Sequence, residues 1–169
     1  GLKQKNVAVE LLNRLLKGQV KSLMKTNATV SKRFSEMLGK SIEKYNNRSI
    51  ETSKIIEQLI QLAKDLNEEH RRGNELGLNS DEIAFYDALA SHETAKEVMG
   101  DKNLRAIAHE LTKTVKENMT VDWNKKASSR AKMRRSVKRL LKEYGYPPDL
   151  EAMAINQVVE QAELMASNQ

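Results

Sequence analysis

Glycine and proline are scarce in this chain: seven glycines and two prolines, nine of 169 residues, or about 5%. Roughly 12% would be ordinary for the pair. These two residues punctuate turns and break regular elements, so a chain poor in both has few connections and long elements. The remaining composition leans on Leu, Lys, Glu, Ala, Met and Gln, all strong helix formers. No segment of four to eight residues alternates apolar and polar with β-branched enrichment, so no sheet is expected. No period of 20–50 residues recurs, which argues against a solenoid. The expected architecture is all-α: an irregular bundle of about six or seven helices in one domain over residues 1–169.

Apolar periodicity places the helices. The first is expected from about Leu2 to Lys17, with Val7, Leu11, Leu12, Leu15 and Leu16 as its core stripe and Gly18 as its end. Gln19 to Thr29 reads as a helical turn or a short extended piece. The second runs from about Ser31 to Asn47 on Phe34, Met37, Leu38, Ile42 and Tyr45. The third runs from about Ile50 to Arg72, with the longest apolar seam, Ile55 to Leu66; no Gly or Pro prevents the two from being one kinked rod. Gly73 and Gly77 bracket a turn. Asn79 with Glu82 is a capping box, opening a short helix from Ser80 to about Ala90. Ser91 to Gly100 reads as a loop or single turn, and a fifth helix spans about Asp101 to Asn118. Thr120 or Asp122 caps a sixth, from near Trp123 to before Gly145. Pro147-Pro148 stops it and starts a seventh, about Asp149 to Ala166.

Several chemistries are excluded or unsupported. Cysteine is absent, which removes disulfides, thiolate metal sites and thiol nucleophiles and fits a reducing, intracellular home. No run of about 18 apolar residues exists to span a membrane, and residues 1–5 contain no signal-like apolar core. A start at Gly1 rather than Met reads as an excised piece of a longer polypeptide. His70, His92 and His109 are too far apart to share a metal on one helix, so structural roles are expected for all three. No glycine-rich phosphate loop and no G-x-S-x-G turn occurs. Three Asn-x-Ser/Thr tripeptides begin at Asn27, Asn47 and Asn118, but a cytosolic chain never meets the glycosylation machinery. Catalytic residues: none. Metal ligands: none.

Charge is where the sequence is uneven. The chain carries 29 basic and 23 acidic residues, net +6. Between Asp122 and Tyr144 stand nine cations, opposed only by Asp122 and Glu143, a local excess of +7. The rest of the chain is therefore close to neutral. At about 100° per residue, Lys125, Lys132, Arg135, Arg139 and Lys142 form an outward stripe opposite an apolar arc of Trp123, Ala127, Ala131, Val137, Leu140, Leu141 and Tyr144. Arg130 and Arg134 fall inside that arc. Burying an unpaired guanidinium costs several kcal/mol, so at least one should pair with an acid from another helix, Glu36, Asp87 and Glu93 being candidates. The outward stripe reads either as a solvated face or as a docking surface for phosphates or an acidic protein. With only 4% aromatic residues a base-stacking platform is disfavoured, while duplex backbone contact is not.

Three blocks carry a resemblance. The first is Phe34-Ser35-Glu36-Met37-Leu38, Ile42 and Tyr45-Asn46-Asn47-Arg48. The second is Leu76-Gly77-Leu78 followed by Asp81-Glu82-Ile83-Ala84-Phe85-Tyr86-Asp87-Ala88-Leu89. The third is Val121-Asp122-Trp123, Arg130-Ala131-Lys132-Met133-Arg134, Val137-Lys138-Arg139-Leu140-Leu141 and Tyr144-Gly145-Tyr146-Pro147-Pro148-Asp149. Over about Phe34 to Asp149 these resemble the C-terminal helical domain of the restriction (motor) subunit of type I restriction–modification enzymes. Residues 1–33 then become a lead-in segment from a preceding domain. The resemblance implies a non-catalytic role, attaching an upstream nuclease and DNA translocase to a methyltransferase core, chiefly its modification subunit. It implies ATP and Mg2+ for the parent subunit but no cofactor for this piece. It also implies the cytoplasm of a bacterium or archaeon and no membrane. Duplex DNA, held by the Lys125 to Lys142 stripe, is the alternative partner.

Overall fold

A computed structural model describes residues 1–119 and 125–167, apart from the side chains of His70, Gly73 and Asn74. Among these residues there are seven helices and no strand, so the fold is all-α. The helices are α1 (Leu2–Met24), α2 (Ala28–Asn46), α3 (Thr52–Leu76), α4 (Ser80–Leu89), α5 (Glu93–Asn118), α6 (Ala127–Glu143) and α7 (Pro148–Ser167). They form two compact units. One holds residues 1–24 and 30–76, the other residues 25–29 and 77–169.

In the first unit α1 packs chiefly along α3. Its core is built from Val9, Leu16 and Val20 of α1, Val30, Phe34 and Leu38 of α2, and Ile55, Leu59, Leu62 and Leu66 of α3. Residues 1–33 thus supply part of this core. The buried α1 positions differ from the expected stripe. Leu11 and Leu15 are 58% and 57% exposed and Val7 is 48% exposed. Val9, Leu12, Leu16, Val20 and Leu23 also follow a three-and-four rhythm, and it is this second stripe that faces α3. Gly18 does not end the helix, which continues to Met24; a glycine weakens a helix interior by about 1 kcal/mol but does not forbid it.

Helices α2 and α3 are separate rather than one kinked rod. Arg48 has φ +55°. Ser49 N–H bonds to Lys44 O at 3.0 Å and Arg48 N–H to Tyr45 O at 3.1 Å. This is the Schellman arrangement, which satisfies the last carbonyls of α2 with a left-handed residue just past its end. Arginine fills the place glycine usually takes, so the usual stop signal is absent. The expected turn from Gly73 to Gly77 is shorter than read: α3 runs through Leu76, and only Gly77 takes positive φ.

The second unit is organised around α4, whose Ala84, Phe85, Ala88 and Leu89 are all fully buried between α5 and α7. Its N-terminus carries the expected capping box: Asn79 Oδ1 accepts from Glu82 N at 2.9 Å and Glu82 Oε1 from Asn79 N at 3.1 Å. The expected loop from Ser91 to Gly100 is mostly helix. His92 caps it, Nδ1 accepting from Thr94 N at 3.2 Å, and Gly100 at φ 74°, ψ 157° bends α5. Residues 25–29 belong to this unit. Asn27 Nδ2 donates to Asp87 Oδ2 at 2.7 Å. Gln161, fully buried on α7, accepts from Ala28 N at 2.8 Å and donates to Thr26 O at 2.9 Å.

Candidate functional site

The basic helix is shorter than expected. It begins at Ala127, so Lys125 precedes it. Thr120, Val121, Asp122 and Trp123 lie outside the described residues. Met133, Val137 and Leu141, spaced four apart, form its buried seam against α5 and α7. Met133 is absent from the arc read from sequence, yet it is 1% exposed. Ala127 and Tyr144, counted in that arc, are exposed. Ala127 lies at the edge of the arc, and alanine is small enough to be neutral between core and solvent; Tyr144 is the C-cap, past the last residue of α6.

The narrower seam changes the reading of the two inward arginines. Arg134 lies at its edge and is exposed, and its guanidinium donates to the neutral Asn156 Oδ1 on α7 at 2.8 Å. Arg134 itself makes no ion pair with a carboxylate among the described residues. Arg130 is half-buried and does make contacts. Of the acids considered, Asp87 is buried and accepts from Asn27, whereas Glu36 and Glu93 are exposed.

Of the outward stripe, Lys132, Arg135, Arg139 and Lys142 lie on α6 and Lys125 lies just before it. Lys125, Lys132, Arg135, Arg139 and Lys142 are all exposed. Lys132, Arg135, Arg139 and Lys142 make no ion pair or hydrogen bond among the described residues. They occupy about 15 Å of helix at 1.5 Å per residue. Lys126 is the N-cap and forms no side-chain capping bond, and the first turn has no acidic residue. The N-terminal backbone N–H groups and the positive end of the helix dipole therefore add to the side-chain charge.

At the far end of α6 the Tyr-Gly-Tyr-Pro-Pro run has a structural explanation. Gly145 takes φ 73°. Tyr146 N–H bonds to Leu141 O at 2.9 Å and Gly145 N–H to Lys142 O at 3.1 Å, a second Schellman cap. Tyr146 is 3% exposed, and its hydroxyl donates to Leu89 O at the end of α4 at 2.7 Å. Burial pushes its phenol up to about 12. Pro148 then opens α7.

The histidines with described side chains are structural. His92 caps α5, and His109 Nδ1 pairs with Glu82 Oε2. The Glu82 carboxyl is held below the usual carboxylate range, first by the Asn79 backbone N–H, against the opposing effect of burial, and then by His109 and Lys116. Gly77, Gly100 and Gly145 are isolated turn, bend and cap positions, not a phosphate cradle, and no group of three His, Asp or Glu suited to a metal exists among the described residues.

The stripe of Val7, Leu11 and Leu15, read as core from the sequence, faces outward on α1. On α7 the apolar face is packed: Ala154, Ile155, Val158 and Val159 are buried, while Met153 is exposed. On α1, Val7, Leu11 and Leu15 stand out of the core. The signal was present as two interleaved apolar stripes on one helix, where a core-facing helix needs one.

Comparison with known proteins gives consistent matches. Residues 1–168 match the family model described as type I restriction enzyme HindI endonuclease subunit-like, C-terminal. The chain is 36% identical over 164 residues to the type I restriction enzyme HindI endonuclease subunit of Haemophilus influenzae, covering 97% of this chain and 16% of that protein. It is 32% identical over 145 residues to the "Putative type I restriction enzyme MjaIXP endonuclease subunit" of Methanocaldococcus jannaschii, covering 85% of this chain and 14% of that protein. The chain thus spans about one-sixth of the length of these relatives. No solved structure matches it.

Proposed function

The chain belongs to the family formed by the C-terminal regions of HindI-like type I restriction endonuclease subunits, and from that premise we propose that it is a docking domain without a reaction of its own. It attaches an ATP-dependent translocase and endonuclease to the methyltransferase core, chiefly the modification subunit. The observation that supports this reading best is on α1, where Leu11 and Leu15 remain more than half exposed opposite a fully formed core. Large apolar side chains grouped outside the core mark interaction surfaces. ATP and Mg2+ are handled, on this reading, by parts of the subunit outside these residues. The place of action is the cytoplasm of a bacterium or archaeon; among the described residues no helix is long and apolar enough to cross a membrane. Co-purification of the full subunit with the modification and specificity subunits tests the reading. A stable complex is expected, and failure to form one with active methyltransferase would sink it.

A second reading is favoured by the α6 stripe. Four exposed cations without partners among the described residues, joined by Lys125, suit the backbone of duplex DNA. Five phosphate contacts would give a slope of log K against log salt near −4 to −5. Absence of duplex binding at low salt removes this reading and leaves the first untouched.

A further inference from the structure

We propose that the outward face of α1 is the seat for an apolar, acid-edged helix of the methyltransferase core; this rests on the docking reading above and names its surface. Val7, Leu11 and Leu15 project along one line of α1, continued by Gly18 and Ser22. A shallow depression of about 490 Å³ lies over Leu11, Arg14, Leu15, Gly18, Gln19 and Ser22. A Cβ built on Gly18 would meet nothing within 4 Å, so another helix can approach closely at that point. Anchors at i and i+4 followed by a low point are what one helix needs to seat another.

The charge beside the strip chooses the occupant. Helix α1 carries Lys3, Lys5, Arg14, Lys17 and Lys21 against one acid, Glu10. At about 100° per residue, Lys3, Arg14, Lys17 and Lys21 fall along a single edge of the Leu11–Leu15 strip, interrupted by Glu10. All four cations lie outside the buried core and form no ion pair or hydrogen bond among the described residues. An acidic edge on the partner complements them and fixes its orientation. A duplex backbone would satisfy these cations and leave the leucines in water. A membrane surface would want a wide apolar face, but the opposite face of α1 is already committed to the core. The α6 stripe differs: its cations have no line of exposed leucines beside them. Leucine anchors and cations therefore occur together on α1, which is the pattern of a protein seat.

Binding of the full-length subunit to purified modification–specificity methyltransferase, measured by titration calorimetry, tests this. L11K/L15K is expected to weaken binding at least tenfold. Both side chains are exposed, and a thermal melt verifies the fold. K17E/K21E, at two exposed positions, is expected to weaken binding at low salt and to flatten its salt dependence. K132A/R135A/R139A/K142A is expected to bind like wild type. If wild type binds and both α1 variants bind equally well, the seat is overturned while the docking reading stands. If wild type does not bind, the docking reading fails and takes the seat with it. If the α1 variants lose only duplex DNA or phosphatidylserine vesicles and keep the methyltransferase, the face serves another ligand and the proposal is wrong.

Discussion

Tyr146 shows how a single side chain can be conspicuous in sequence and yet structural. Its hydroxyl satisfies Leu89 O, and its phenol is held protonated by burial. Tyr146→Phe leaves that carbonyl unpaired, a loss of about 1–3 kcal/mol, readable as a lower urea midpoint. The phenol also makes stability pH-dependent. Between pH 10, where an unfolded tyrosine ionises, and about 12, where the folded one does, only the unfolded state releases the proton. Stability should therefore fall across that window, by roughly 1.4 kcal/mol per unit, and the fall should be smaller by that amount in Tyr146→Phe. An identical alkaline slope in both proteins would refute the assignment. Glu82 works in the opposite sense. Its carboxyl is lowered, so its contribution is present above the ordinary carboxylate value and lost as pH drops through the folded one. Glu82→Gln is expected to destabilise by about 1 kcal/mol at pH 7, with the difference from wild type shrinking toward pH 3. The Asn79–Glu82 box was legible because its partners are three residues apart. The Tyr146–Leu89 bond was not, because 57 residues separate its ends.

Helix boundaries follow the same division between local and distant causes. Pro148 and the capping box mark α7 and α4 correctly because each acts on its own neighbours. Gly18 misleads because α3 holds α1 together past it. The end of α2, expected at Asn47, lies at Asn46, and Arg48 just past it occupies a position that favours glycine. A left-handed conformation costs a non-glycine residue roughly 1–2 kcal/mol, and the Arg48 side chain is exposed with no partner among the described residues to offset it. Arg48→Gly should therefore raise stability by up to about 1 kcal/mol, visible in a urea titration, with α2 and α3 unchanged. A loss of stability would mean that the arginine side chain contributes something its exposure does not suggest. Amphipathic reading also failed on two helices. On α1 it took the exposed leucines for core, and on α6 it took Ala127 and Tyr144 for core and passed over Met133. Periodicity reports that a stripe exists; which stripe is buried depends on the partner helix, and no single-helix pattern contains that.

Across the whole chain the decisive quantity is how the net charge of +6 is placed. The positive charge concentrates on α6 and α1, and the remainder has a small acidic excess, 17 basic against 21 acidic residues. Self-repulsion among exposed, unpaired cations contributes nothing favourable to folding. Neutralising Lys132, Arg135, Arg139 and Lys142 together with alanine should thus leave the melting temperature unchanged or slightly higher, since alanine is also the better helix former. The four are then free to be judged by binding alone. Should duplex DNA be their ligand, the salt slope drops by about 3 to 4 in the quadruple variant, near −0.9 per contact. Should they be only a solvated face, neither slope nor affinity moves. A large fall in melting temperature would contradict both outcomes, because it would mean that these side chains support α6 itself through Met133, Val137 and Leu141 and are not free at the surface.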